Sequence, residues 1–257
     1  MLLAIDVGNT NITIGLYQGD DLIQHWRLAT AHERMPDEYG LQIMGLLAHT
    51  GINPATIDGA IIASVVPPLT GRWVEICRNY LHCEPVLVDS RTDLGINILY
   101  EPAAAVGADR LVDAVAVHQL YGGPACVVDF GTATTFDAIL ANGDYLGGAI
   151  VPGIGISSEA LFQRAAKLPK VEIARPPSAI GKNTPHAMQS GLFFGYVGLV
   201  EGMVTRFRAE LGADMKVIGT GGLAALFATE TDVIQIIAPW LTLDGLRIIY
   251  HRVSSIE

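Results

Sequence analysis

Cysteine is scarce in this chain, which contains only Cys77, Cys83 and Cys126. These residues form no CxxC pair, no histidine lies near them at zinc-ligand spacing, and an odd number does not suit a secreted disulfide framework. The sequence also lacks a run of 18 apolar residues, and Asp6 interrupts the N-terminal stretch where a signal peptide needs its apolar segment. We therefore expect a cytoplasmic protein that neither enters the secretory pathway nor spans a membrane.

Basic residues are also few: 16 Lys and Arg stand against 26 Asp and Glu, which gives a formal net charge of -10. No block of five basic residues offsets this charge locally, so nucleic acid is an unfavourable partner. Half of the 257 residues are hydrophobic, which is enough to build the core of one large domain or two small ones.

A pattern near the N-terminus returns in the middle of the chain. Short β-rich runs at residues 2–7, 12–18 and 21–28 predict a three-stranded antiparallel meander, and the stretch "CVVDFGTATTFDAILANGDYLGGAIVPG" repeats that arrangement. Each copy is followed by helical and strand patterns, so we interpret the chain as an internal duplication. The predicted fold is α/β, with one half at residues 1–117 and a similar half at residues 118–257.

Both copies place an aspartate and a glycine where the first strand turns into the second. In "DVGNTNIT", Gly8 would let the backbone approach a ligand, N–H and hydroxyl groups could donate to phosphate oxygens, and Asp6 could hold a hydrated magnesium ion. The matching residues of "DFGTATT" are Asp129, Thr132 and Thr134. An ordinary hairpin, with Asp129 as its capping residue, is the alternative for either copy alone, and the repetition favours a paired phosphate site.

Three further motifs carry polar chemistry. "GADR" at 107–110 places Asp109 where a helix begins, and this residue is either a functional carboxylate or a first-turn acid that stabilises the helix dipole. "GTGG" at 219–222 follows a strand and suits a nucleotide, but too few residues follow it for a Rossmann domain. "GKNT" at 181–184 lacks two residues that a Walker motif requires. The proline-rich segment 168–185 is predicted to be an ordered loop or flap.

Taken together, "DVGNT", "YEPAAAVGADR", "DFGTATTFD", "GGAIVPG", "GTGG" and "APWLTLDGLRIIY" resemble the type III pantothenate kinases. This family belongs to the superfamily of sugar kinases, actin and heat-shock chaperones. The resemblance implies two ribonuclease-H-like (actin-like ATPase) halves with a cleft between them, and a homodimer. It also implies the ATP-dependent phosphorylation of pantothenate to 4'-phosphopantothenate in coenzyme A biosynthesis, with Mg²⁺ and with K⁺ or NH₄⁺ as cofactors.

The resemblance also implies roles for individual residues. Asp109 is expected to be the general base, Asp129 the potassium ligand, and Asp6 the residue beside magnesium. The expected ATP-binding residues are Asp6, Val7, Gly8, Asn9, Thr10, Asn11, Ile12, Thr13 and Thr132. The expected pantothenate-binding residues are Tyr100, Gly107, Ala108, Asp109, Arg110 and Thr184.

Two other functions use similar sequence features. An exopolyphosphatase-like phosphohydrolase would use the paired phosphate turns with water as the nucleophile, and an ATP-gated regulatory protein would bind nucleotide with little turnover. The apolar stretch 191–204 is either a dimerisation helix with glycines that permit close approach, or a buried core helix.

Overall fold

A computed structural model describes residues 1–255 of the protein. The chain forms two compact units. The first comprises Met1–Leu120 together with the last helix, and the second comprises Tyr121–Trp240. No helix among residues 1–255 is both long and apolar enough to cross a bilayer.

The first unit is built on a five-stranded sheet in the order β3-β2-β1-β4-β5. β1 is antiparallel to β2, which is antiparallel to β3, whereas β4 is parallel to β1 and β5 is parallel to β4. β1 is buried at every position except Asp6, because it is a central strand with apolar residues on both faces. The strands are β1 (Leu2–Val7), β2 (Asn11–Gln18), β3 (Asp21–Ala29), β4 (Gly59–Ser64) and β5 (Pro85–Leu87).

Two helices pack together over this sheet and form much of its core. They are α1 (Pro36–His49) and α2 (Pro67–Tyr80), each with proline in the first turn, where a missing N–H costs nothing. Tyr39 and Trp73 are fully buried with ring centroids 5.3 Å apart. In α2, Leu69 and Ile76 are buried together with Trp73. A short 3-10 turn at Pro54–Thr56 lies before β4. A second one at Ala103–Ala105 precedes the third helix, α3 (Ala108–Leu120).

The second unit repeats the topology of the first. Its sheet has the order β10-β9-β6-β7-β8, with β6, β7 and β8 antiparallel and β9 parallel to both β6 and β10. The predicted duplication is therefore confirmed at the level of strand order. The strands are β6 (Ala125–Phe130), β7 (Ala133–Ile139), β8 (Tyr145–Pro152), β9 (Lys216–Thr220) and β10 (Ile236–Ile237), and the helices are α4 (Ile154–Arg164), α5 (Thr184–Leu211) and α6 (Ala224–Ala228).

The long helix α5 includes the apolar stretch 191–204. Phe193 and Tyr196 are buried in the core of this unit, where both rings lie near Phe227, so the core interpretation applies to these side chains. The segment between α4 and α5 contains no helix or strand, as predicted, and is anchored by an ion pair between Arg175 and Glu230.

The last helix, α7 (Leu241–Ser254), packs on the first unit. A Cβ atom on Gly245 would lie 2.3 Å from the carbonyl oxygen of Val112 in α3, so the two helix backbones cross closely. The Tyr17 hydroxyl of β2 donates to Asp244 Oδ1 at 2.8 Å, and burial together with this carboxylate raises the pKa of Tyr17 far above its usual range. The sequence predicts this helix to belong to the half at 118–257, whereas its contacts join it to the unit that contains β1 and α3.

Candidate active site

The turn between β1 and β2 is a tight hairpin that requires glycine at position 8. The Gly8 N–H donates to the Asn11 carbonyl at 3.0 Å, and a Cβ atom on Gly8 would lie 2.9 Å from that oxygen. Asn9 and Thr10 are exposed at the tip of the turn. Asp6 is partly buried and lies opposite Thr13 in the antiparallel ladder. A carboxylate, N–H groups and hydroxyl groups thus meet at one end of the strand pair.

Two of the predicted ATP-binding residues in this hairpin have side chains that cannot reach a ligand. Val7 and Ile12 are paired across the ladder and are fully buried in the core of the first unit. Only their backbone atoms are available for binding, which limits their role to shaping the turn.

The turn between β6 and β7 repeats this arrangement with one residue fewer. Asp129 occupies the same position as Asp6, one residue before its strand ends, and lies opposite Thr135. Thr132 is exposed, and its carbonyl accepts a hydrogen bond from the Gly153 N–H at 3.1 Å. Thr134, which the sequence matches to the first turn, is buried, and Thr135 lies opposite the aspartate instead because this turn is one residue shorter.

The GTGG motif contacts this second aspartate. Gly221 follows β9 with a positive φ of 85°, and a Cβ atom there would lie 2.4 Å from Asp129 Oδ1. A Cβ atom on Gly131 would lie 3.2 Å from Asp129 Oδ2. Glycine backbone therefore lies close to both carboxylate oxygens, in a space that any larger residue would fill. This contact explains the motif more directly than nucleotide binding at a helix N-terminus does, since α6 has only five residues.

The GADR motif begins α3. Asp109 lies in the first helical turn, and its Oδ1 accepts a hydrogen bond from the Arg110 N–H at 2.8 Å. A Cβ atom on Gly107 would lie 2.5 Å from Asp109 Oδ1 and 3.3 Å from Val65 Cγ1. Val65 follows β4 and donates its N–H to the Val7 carbonyl at 3.1 Å. The start of α3 thus lies at the same end of β1 and β4 as the first hairpin turn.

The remaining predicted substrate residues lie in other parts of the chain. Ala108 and Arg110 are nearly buried, each 9% exposed, whereas Tyr100 is exposed in the loop before α3. Thr184 is exposed at the first position of α5 in the second unit, just after Asn183, whose side chain accepts the His186 N–H at 2.9 Å. The predicted pantothenate residues therefore come from both units.

Either aspartate suits a cation that is also bound by phosphate oxygens. Within residues 1–255, no three His, Cys, Asp or Glu side chains cluster as a metal site. Asp6 and Asp129 each provide one carboxylate beside a glycine-containing turn. Mg²⁺ is commonly held in proteins through one or two carboxylates together with substrate phosphates and water, so this donor chemistry fits.

Comparison with known proteins places the chain in a family. The family model of type III pantothenate kinase matches residues 2–206. A type III pantothenate kinase of Roseiflexus sp. strain RS-1 is 54% identical, and the match covers 99% of this chain and 100% of that relative. The fold is shared with a Campylobacter jejuni protein named for the Baf family of transcriptional activators (TM-score 0.62, 20% identity, 98% of this chain and 99% of that one). It is also shared with a ROK hexokinase from Thermus thermophilus (TM-score 0.50, 13% identity, 98% and 99%). The chain belongs to the type III pantothenate kinase family.

Proposed function

We propose that the chain transfers the γ-phosphoryl group of ATP to the primary hydroxyl of pantothenate, forming the 4'-phosphopantothenate from which coenzyme A is made. Family membership over nearly the whole chain supports this assignment. The structural observation that carries it is the repeated turn at the ends of β1 and β6, where an aspartate precedes a glycine by two residues. A cytoplasmic location and the absence of a nucleic-acid partner stay predictions.

ATP binding is assigned to residues 6–13 and to Thr132. Backbone N–H groups in tight turns form concave sites for anions, and the exposed Thr10 and Thr132 add hydroxyl donors. Asp6 would hold Mg²⁺ beside the phosphates, where the ion neutralises charge that a protein of net charge -10 would otherwise repel. The protein chain orients these N–H and hydroxyl donors toward the polyphosphate.

The monovalent cation is assigned to Asp129. Its carboxylate lies against the backbone of Gly131 and Gly221, which restricts the directions in which its oxygens can be offered to a cation. When bound, the ion supplies positive charge near the phosphates. Asp129 determines the position of this cation relative to the β6–β7 turn.

Asp109 is proposed as the general base. Phosphoryl transfer proceeds through a loose transition state, so the base has to orient the attacking hydroxyl and accept its proton late rather than be strongly basic. Its place in the first turn of α3, with Oδ1 accepting from the Arg110 N–H, fixes the direction of the carboxylate. Arg110 adds positive charge suited to the carboxylate of pantothenate. Tyr100, Gly107, Ala108 and Thr184 are the other residues proposed to bind pantothenate.

A homodimer is proposed through the exposed face of α5. Four glycines, at 191, 195, 198 and 202, recur at helical spacing on that face, and a Cβ atom on any of the first three would meet open space. Two of the exposed apolar side chains on the neighbouring helix α4 are Leu161 and Phe162. Small residues in a row let a second helix approach closely, and exposed apolar residues nearby add area to bury.

The experiment that tests the proposed reaction measures ADP release with and without pantothenate. The kinase predicts ADP release that depends on pantothenate and saturates with it. A phosphohydrolase would release phosphate at the same rate without pantothenate, and a regulatory ATP-binding protein would bind an ATP analogue while turning over slowly in both conditions. Equal release with and without pantothenate would contradict the proposal.

A further inference from the structure

Thr30 forms hydrogen bonds with the β1–β2 turn, which is part of the proposed phosphate loop. It lies outside every motif that the sequence analysis identified. It directly follows β3 and makes two hydrogen bonds to the β1–β2 turn. Its hydroxyl donates to the Gly8 carbonyl at 2.6 Å, and its backbone N–H donates to the Thr10 carbonyl at 3.0 Å. One residue therefore binds carbonyl oxygens on both sides of Asn9.

Fixing these two carbonyl groups also fixes the direction of the next N–H groups. A trans peptide unit is planar, and its N–H points opposite to its C=O. With the Gly8 and Thr10 carbonyls directed at Thr30, the N–H groups of Asn9 and Asn11 point away from it. These are donors of the loop that we assign to the ATP phosphates, so Thr30 sets their orientation before ATP binds.

The segment that contains Thr30 is hydrogen-bonded to side chains of α1 and α2. The Tyr39 hydroxyl, fully buried in the core, donates to the Ala29 carbonyl at 3.2 Å and accepts from the Ala31 N–H at 2.9 Å. These contacts flank Thr30 on both sides. Arg72 of α2 donates to the carbonyls of His32 and Arg34, both at 2.7 Å, and so fixes the continuation of the same segment.

We propose that Thr30 is a positioning residue for ATP binding, which orients the β1–β2 turn by binding the carbonyls of Gly8 and Thr10 while Tyr39 holds its own backbone in place. The inference rests on the proposed function, because it assigns the turn to ATP phosphates. It predicts that losing the Thr30 hydroxyl weakens binding of ATP and leaves binding of pantothenate unchanged.

The test compares Thr30→Val, which removes the hydroxyl at constant shape, with Thr30→Ser, which keeps it. The control is Thr50→Val. Thr50 is also partly buried and also donates its hydroxyl to backbone carbonyls, those of Leu46 and Leu47, but at the end of α1 away from the turn. Each variant is measured by titration with a non-hydrolysable ATP analogue and by steady-state kinetics in both substrates.

We expect Thr30→Val to weaken binding of the analogue and to raise KM for ATP by about tenfold, the size expected for a lost hydrogen bond that leaves a carbonyl unsatisfied. KM for pantothenate should not change. Thr30→Ser should restore most of the affinity for ATP, and Thr50→Val should match the wild type in both KM values. If Thr30→Val does not fold, Thr30→Ala repeats the comparison.

Equal KM values for ATP in Thr30→Val and Thr50→Val would overturn the inference, as would a rise in both substrate KM values together. Failure of the proposed function gives a different result. In that case the wild-type protein itself would show no pantothenate-dependent ADP release, whatever residue stands at position 30.

Discussion

Replacement of Gly221 by alanine tests the assignment of Asp129 to the monovalent cation. The added Cβ atom would lie 2.4 Å from Asp129 Oδ1, where an ordinary contact is at least 3.4 Å, so the carboxylate or the loop has to move by about 1 Å. A displacement of that size in a positioned catalytic group lowers turnover by about 10²-fold. We therefore expect Gly221→Ala to lower kcat to about that extent and to reduce the difference in rate between K⁺ and Na⁺.

Gly122→Ala is the matched control in the same unit. Gly122 also has a positive φ, 73°, but a Cβ atom there would have as its nearest neighbour Lys216 Nζ at 3.9 Å, an ordinary contact. Backbone strain alone should destabilise this variant by about 1–2 kcal/mol. Gly221→Ala adds overpacking of about 1–3 kcal/mol to the same strain.

The assay is coupled ADP release in potassium and in sodium buffers of equal ionic strength, together with calorimetric unfolding of both variants. Gly122→Ala should be less stable than the wild type yet retain its turnover and its dependence on potassium. If Gly221→Ala kept wild-type turnover and an unchanged dependence on potassium, the assignment of the monovalent cation to Asp129 beside this glycine backbone would be refuted.

Four further predictions follow from other parts of the structure. Asp109→Asn should lower kcat by about 10²-fold or more with little change in ATP binding, whereas Asp6→Asn should weaken magnesium-dependent binding of an ATP analogue; equal losses of ATP binding in both variants would contradict this division of roles. Exchange of potassium chloride for sodium chloride should lower turnover of the wild type, and an unchanged rate would count against any monovalent cation. Gly195→Leu should shift sedimentation toward the monomer while Gly45→Leu, also facing open space on a helix, should not, and a stable dimer in both would exclude the glycine face of α5. Gly245→Ala should reduce the free energy of unfolding by about 1–3 kcal/mol, since its Cβ atom would lie 2.3 Å from a carbonyl oxygen of α3, and unchanged calorimetric stability would contradict that close helix crossing.

Elements with a regular local pattern could be predicted from the sequence. The meander expected at residues 2–7, 12–18 and 21–28 is present as β1, β2 and β3, and the helix expected to begin at GADR is α3. These predictions succeed because the spacing of apolar residues within a short segment indicates whether that segment is a strand or a helix. The duplication was also recognisable, since the same strand order requires the same succession of turns and apolar runs.

Other features depend on residues that are distant in the chain. The packing of α7 against α3 and β2 arises from Gly245 and Asp244, whose partners lie far earlier in the sequence. The contact of Gly221 with Asp129 and the bonds from Thr30 to the first turn are of the same kind. A one-residue difference in turn length was enough to hide Thr135. Local patterns identify strands and turns, but they do not tell which side chain the fold places beside them.

The most direct test of the proposed reaction is to identify its products. Pantothenate and ATP are incubated with the enzyme, and ADP and phosphorylated pantothenate are quantified together by mass spectrometry. The proposal predicts one molecule of 4'-phosphopantothenate for each molecule of ADP, and almost none of either with Asp109→Asn. ADP accompanied by free inorganic phosphate, with pantothenate unmodified, would contradict it.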